Sequence, residues 1–112
     1  MSDLTEESCQ PCEGGVEPMT EAEAREQLQQ VENWDLLAQD EILKLEKTYK
    51  LNDFVAALEF VNEVGEIAGA EGHHPDILIS YNRVTLTLWT HAIDGLSRND
   101  FILAAKCDGI EF

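Results

Sequence analysis

Val84-Thr85-Leu86-Thr87-Leu88-Trp89-Thr90-His91 is the stretch that decides the fold. Apolar and polar residues alternate along it, and a period of two marks a strand with two unlike faces. Val84, Leu86, Leu88 and Thr90 point one way, while Thr85, Thr87, Trp89 and His91 point the other. Immediately upstream, Ile77-Leu78-Ile79-Ser80-Tyr81 reads as a partner strand, with Asn82-Arg83 as the tight connection between the two. Pro75 stops any helix that reaches this point, because it lacks an amide donor and clashes with the preceding turn.

Working towards the N-terminus, the period changes. Phe54, Val55, Leu58, Val61, Val64, Ile67 and Ala68 recur every three or four residues and predict a helix over 52–70, capped by Asn52. Gly65 and Gly69 weaken its last turns by up to about 1 kcal/mol each. Ile42, Lys44, Glu46 and Thr48 alternate with Leu43, Leu45, Lys47 and Tyr49, predicting a half-buried strand. The run Ala38-Gln39-Asp40-Glu41 turns it back onto a strand at 34–37. Thr20 and Glu23 have the spacing of a capping box for a short helix over 21–30. Beyond Gly95, Ser97 and Asp100 repeat that spacing ahead of a final helix containing Phe101, Ile102 and Ala105. The order helix, strand, strand, helix, strand, strand, helix implies an α+β fold, a four-stranded antiparallel sheet with three helices packed on one face. Residues 1–19 carry five acidic residues and no basic one, and read as a flexible arm ahead of a single domain at 20–112.

At 112 residues the chain has room for one modest core. Its 44% apolar content argues against disorder, although 23 acidic and 7 basic residues leave a formal charge of -16. With a pI near 4.2, the surface repels the phosphates of nucleic acids and of anionic membranes. No run resembles a spanning helix or a signal peptide, so the expectation is a cytoplasmic protein. Cys9 and Cys12 form a C-x-x-C pair, half of a zinc site at most, and Cys107 sits in the last helix as an inert core thiol. The second sheet face, with Thr85, Thr87 and Trp89, lacks an element to cover it, which points to association with another copy.

All three histidines fall at two element ends. His73 and His74 lie between the long helix and a strand, and His91 closes the next strand. A hairpin joining the two strands brings His91 towards the His73-His74-Pro75 loop, and imidazole is the side chain best matched to proton transfer near neutral pH. The competing reading is structural, with His73 at a helix end, His74 against Pro75 and His91 in water. Adjacent histidines on a strand point apart, and no H-E-x-x-H spacing occurs, so no metal is expected. Phosphate-cradling glycine loops are likewise absent from the sequence.

The ordered set His73-His74-Pro75, Tyr81, His91 and Asp100, with Trp34 at the first strand and Phe54 opening the long helix, resembles the pterin-4a-carbinolamine dehydratases, particularly bacterial ones. The resemblance covers about residues 20–108, and the Cys-x-x-Cys-Glu-Gly-Gly arm is similar to that of bacterial members. It implies a cofactor-free hydro-lyase that dehydrates a 4a-hydroxytetrahydropterin, such as 4a-hydroxytetrahydrobiopterin, to a quinonoid dihydropterin for reuse in aromatic amino acid hydroxylation. It further implies catalytic His73, His74 and His91, and an aromatic wall from Trp34. His74 is also the expected substrate orienter, and Glu71 is expected to reach the substrate from the loop. Pro75 fixes the turn that aims the histidines, Tyr81 packs on the Ile77 and Ile79 face, and Asp100 serves chiefly at the helix start. A homodimer or homotetramer, functionally coupled to an aromatic amino acid hydroxylase, is the implied assembly. Many members carry an acid four residues before the first motif histidine, where this chain has Gly69. The alternative the family admits is a protein-binding module, acting as a coactivator or assembly factor without catalysis.

Overall fold

The computed structural model describes residues 17–110. Within it the chain forms α1 (Glu21–Leu28), β1 (Asp35–Gln39), β2 (Ile42–Lys50), α2 (Phe54–Glu71), β3 (Asp76–Ser80), β4 (Arg83–Leu88) and α3 (Arg98–Asp108), with a 3-10 turn at His91–Ile93. The four strands lie in the order β1-β2-β4-β3, every neighbouring pair antiparallel. The α+β architecture is the expected one, a four-stranded antiparallel sheet with three helices packed against it. Asp40 and Glu41 form the two-residue turn of the first hairpin, both at positive φ. The C-x-x-C pair and the start of the acidic stretch lie outside the described residues. The end of that stretch is tied to the domain, with the Met19 amide donating to the Leu96 carbonyl at 2.9 Å.

The alternation in β2 and β4 aims Leu45, Tyr49, Val84, Leu86 and Leu88 at one side, where all are buried. Ala57, Phe60, Val64 and Ala68 of α2, and Phe101, Leu103, Ala104 and Cys107 of α3, close the core from above. Stripping this apolar area from water is the main stabilising term. The other sheet face is more polar than its sequence suggests. Thr48 and Thr85 share a hydrogen bond at 2.9 Å, Thr87 donates to Glu46 at 3.1 Å, and the Lys44 ammonium stands 4.0 Å from the Trp89 ring centroid.

Four local expectations are corrected. The cap of α2 is Asp53, whose carboxylate accepts from the Ala56 amide at 2.8 Å, instead of Asn52. Phe54, Val55 and Leu58 of the expected α2 stripe are exposed, and Ala57 and Phe60 are buried beside Val64 and Ala68 instead; the helix stops close to its expected end, where Gly72 takes the left-handed region (φ 67°) that a residue without Cβ adopts at least cost. The second hairpin turns at Tyr81-Asn82, because Arg83 already pairs with both Lys50 and Ser80. Tyr81 therefore has φ 57° and is 72% exposed, where packing on the Ile77 and Ile79 face was expected. Lastly, β4 ends at Leu88, and Thr90 instead bridges Gly95, so His91 begins a 3-10 turn and does not continue the strand.

A carboxylate at the C-terminal end of α3 fastens the helix to the sheet. Asp108 accepts from Tyr49 Oη at 2.6 Å, Lys47 Nζ at 2.7 Å and Trp34 Nε1 at 3.0 Å. Burial, the hydrogen bond to Asp108 and that carboxylate's charge push the Tyr49 phenol upward from its ordinary value. Burial, then the Asp108 charge, pushes the Cys107 thiol from 9.0 up to about 12. Both folded values are raised, so both groups contribute fully while the unfolded chain also keeps its protons. Stability then falls as pH rises past 9.0 for Cys107 and past 10.0 for Tyr49, by up to ~1.4 kcal/mol per group per pH unit. Urea denaturation between about pH 8 and 11 measures this decline, and Tyr49→Phe is expected to make its upper part shallower. An unchanged slope in that variant removes Tyr49 from the account.

Candidate active site

Gly72 turns the chain out of α2 so sharply that the His73 amide still donates to the Ala68 carbonyl, at 3.2 Å. The turn places the His73 ring over the start of α3. There, His73 Nε2 lies 2.6 Å from Asp100 Oδ1, with the imidazole 12% and the carboxylate 0% exposed. The other carboxylate oxygen, Oδ2, accepts from Thr90 Oγ1 at 2.8 Å and from the Ser97 amide at 3.0 Å. Thr90 and Ser97 hydroxyls lie 2.7 Å apart. Asp100 is the third residue of α3, so its negative charge also meets the positive end of the helix dipole. A buried carboxylate is tolerable here because each oxygen is supplied with donors.

His91 follows Thr90 directly, and its exposed ring stacks on Trp89 with centroids 4.1 Å apart and planes 17° from parallel. One carboxylate thus holds the His73 loop and the segment leading into His91. His74 is exposed beside half-buried Pro75. The remaining expected site residues go elsewhere. Trp34 is 4% exposed, bonds Asp108 and meets Tyr49 edge-on at 6.3 Å. Since Asp108 lies eight residues beyond Asp100, this indole sits at the opposite end of α3, about 12 Å along the axis. Glu71 belongs to the last turn of α2 and pairs with Lys106 at 3.1 Å. Together they wall a groove of about 740 Å³ between α2 and α3 that also takes in Ile67, Ala70 and Ile110, and His73 is not among its lining residues. Tyr81 is at the far turn of the β3–β4 hairpin.

Thr90 is the neighbour of the His73–Asp100 pair that sequence reasoning missed. Its place in the Val84, Leu86, Leu88 series made it look like one more inward residue. The available signal was a hydroxyl in an apolar series, directly before a histidine and seven residues ahead of Ser97. Among the described residues, no three His, Cys, Asp or Glu side chains gather to hold a metal ion. No described helix is long and apolar enough to cross a membrane.

Fold and site define a small α+β domain with an imidazole braced by a buried carboxylate, an arrangement suited to acid-base chemistry. The family model "Pterin 4 alpha carbinolamine dehydratase" matches residues 17–110. The chain belongs to the pterin-4a-carbinolamine dehydratase family. It is 46% identical over 107 residues to a protein of that name from Halorhodospira halophila, covering 96% of each chain. It is 43% identical over 108 residues to one from Nitrosococcus oceani, again covering 96% of each. A crystal structure titled transcriptional coactivator/pterin dehydratase, from Brucella melitensis, superposes with a TM-score of 0.74 at 31% identity, over 81% of this chain and 95% of that one.

Removing the Asp100 carboxylate strands Thr90, the Ser97 amide and His73 together. Asp100→Ala is expected to destabilise the fold by about 2–4 kcal/mol, read from the urea midpoint at constant slope. A loss below about 0.5 kcal/mol contradicts the hub role, since that is the range of ordinary surface changes.

Proposed function

We propose that the protein is a hydro-lyase that dehydrates a 4a-hydroxytetrahydropterin to the quinonoid dihydropterin, with 4a-hydroxytetrahydrobiopterin as the leading substrate. The observation that carries this reading is the His73–Asp100 pair, 2.6 Å apart and almost wholly buried beside the His91 segment. In the reaction the C4a–O bond breaks, the leaving oxygen takes a proton, and N5 gives one up as the C4a=N5 bond forms. One proton is accepted and one delivered, so water leaves without a redox change. Two imidazoles on different elements suit those opposite transfers. His73 is braced from behind by a carboxylate, whereas His91 is backed by the Trp89 ring. His74, next to Pro75 in the same loop, serves as binder and orienter in this reading. Neither Trp34 nor Glu71 is assigned a substrate contact, because their side chains are engaged with Asp108 and Lys106. Gly69 stands where relatives in the resembled pattern carry an acid, and the space around its α-carbon is open.

Generating the carbinolamine in situ in a stopped-flow instrument tests the activity directly. Protein-dependent acceleration over spontaneous water loss is expected, and its absence rejects the proposal. His73→Ala and His91→Ala are each expected to lower turnover by about 10² to 10⁴, whereas His74→Ala chiefly raises KM. A greater turnover loss in His74→Ala, with substrate affinity intact, reverses the assignment.

A second reading, a protein-binding module, is favoured by apolar side chains left open to solvent. Val55 is 60% and Phe54 46% exposed on the first turn of α2, and Leu78 is 63% exposed on the edge strand β3. The Brucella melitensis relative also carries both descriptions in its title. These same surfaces are suited to pairing with a second copy, in the homodimer or homotetramer the resemblance implies. Leu78→Lys is expected to reduce the particle mass seen by light scattering at micromolar concentration if β3 pairs with a copy of itself. An unchanged mass with retained fold leaves that edge to a different partner. Coupling to an aromatic amino acid hydroxylase follows from the product, which such an enzyme's pterin cycle consumes.

A further inference from the structure

The hydrogen bonds behind His73 have a fixed direction, and that direction selects a tautomer. Asp100 Oδ2 accepts from Thr90 Oγ1 at 2.8 Å and from the Ser97 amide at 3.0 Å, and an amide has no other role than donor. Thr90 has one hydroxyl proton, and Asp100 receives it. The 2.7 Å contact between Thr90 Oγ1 and Ser97 Oγ must therefore run from Ser97 to Thr90. The donor chain is Ser97, Thr90, Asp100. Only Oδ1 is left for His73 Nε2, at 2.6 Å. A carboxylate oxygen can only accept, so in this contact Nε2 is the donor and carries the proton. A neutral imidazole carries a single N–H, and the lone pair is then on Nδ1.

We propose that Thr90 is a positioning residue whose hydroxyl, acting through Asp100, keeps the proton of His73 on Nε2 and leaves Nδ1 as the proton-accepting atom. The inference rests on the reading of His73 as an acid-base group, and it adds which nitrogen acts and what holds it. Thr90 is 3% exposed, so its hydroxyl is shielded from competing water. Its backbone is pinned as well, with the Thr90 amide donating to the Gly95 carbonyl at 2.7 Å and the Gly95 amide returning to Thr90 at 3.4 Å. That closed loop carries His91. Gly95 cannot gain a side chain there, because a Cβ would fall 2.4 Å from the Pro18 ring. Thr90 thereby ties the 3-10 turn bearing one histidine to the carboxylate that orients the other.

Thr90→Val keeps the shape and removes the donor, whereas Thr90→Ser keeps the donor and removes a methyl group. The test is made on the full chain, uniformly labelled with 15N, with long-range 1H–15N correlation of the His73 ring at about pH 8, assigned by comparison with His73→Gln. The wild-type ring is expected as the Nε2–H tautomer. Thr90→Val is expected to show a mixture of tautomers and a kcat lowered roughly tenfold, with KM changed by less than about twofold. Thr90→Ser is expected to restore both the tautomer and kcat. An Nδ1–H tautomer in the wild type overturns the proposal, as does a Thr90→Val protein with wild-type spectrum and kcat. So does a Thr90→Ser protein as impaired as Thr90→Val, since the methyl group would then be what matters. If Thr90→Val fails to fold by circular dichroism, the wild-type tautomer and its retention in Thr90→Ser decide the question. Wild-type protein without dehydratase activity rejects the proposed reaction alone, because the ring spectra still report whether Thr90 sets the tautomer.

Discussion

A carboxylate with no access to water has to be surrounded by donors, and Asp100 organises one end of this molecule through that requirement. Its partners come from three places in the chain: His73 after α2, Thr90 after β4, and the Ser97 amide at the start of α3. The Ser97 contact is local to the helix start, but those to Thr90 and His73 come from outside α3, so Asp100 is satisfied only when the loop, the segment after β4 and the helix have all arrived. An unpaired carboxylate at this depth costs several kcal/mol, which makes the arrangement nearly all-or-none. Capping the helix and bracing His73 are therefore not alternative explanations of Asp100. One oxygen starts the helix while the other faces the imidazole.

The opposite end of α3 repeats the device with a different outcome. Asp108 also collects three donors, here all side chains, from Trp34, Lys47 and Tyr49, but all three belong to the first hairpin and the residue leading into it. The result is an anchor for the helix on the sheet, with the thiol of Cys107 sealed beneath it and held in its unreactive protonated form. With a carboxylate fastened at each end, α3 acts as a spacer of nearly fixed length. The histidine loop is located by this rigid body, which is how a site built on loops acquires a defined geometry.

The sequence by itself determined the elements, their types and the face that the two long strands bury. In β2 and β4 a strict period of two left little choice about which residues face inward, since burying apolar surface outweighs weaker local preferences; in α2 the three- and four-residue recurrence marked the helix but only part of its buried face, because Ala57 and Phe60 join Val64 and Ala68 inside while Phe54, Val55 and Leu58 stay exposed. The histidine pair, its spacing to His91 and Asp100, and the family resemblance were readable for the same reason: they are properties of order along the chain. Turn positions were harder. Tyr81 was read as strand because its aromatic ring suits one, yet the pairing of Arg83 with both Lys50 and Ser80 put the turn at Tyr81 and Asn82.

Only the tertiary structure decided which polar groups meet. Trp34 was expected as a substrate wall, and the Asp108 carboxylate reaching it from 74 residues away fixes where its N–H is directed. Thr90 had the pattern of a core residue and acquired a polar role from Asp100 and Ser97, which α3 brings beside it. Glu71 was drawn to Lys106 on the neighbouring helix. Apolar burial is non-directional and can be read from a pattern, whereas a hydrogen bond needs its partner within about 3 Å and correctly aligned. That condition is met only after the chain has folded, so the fold was legible in the order of residues and the wiring of the site was not.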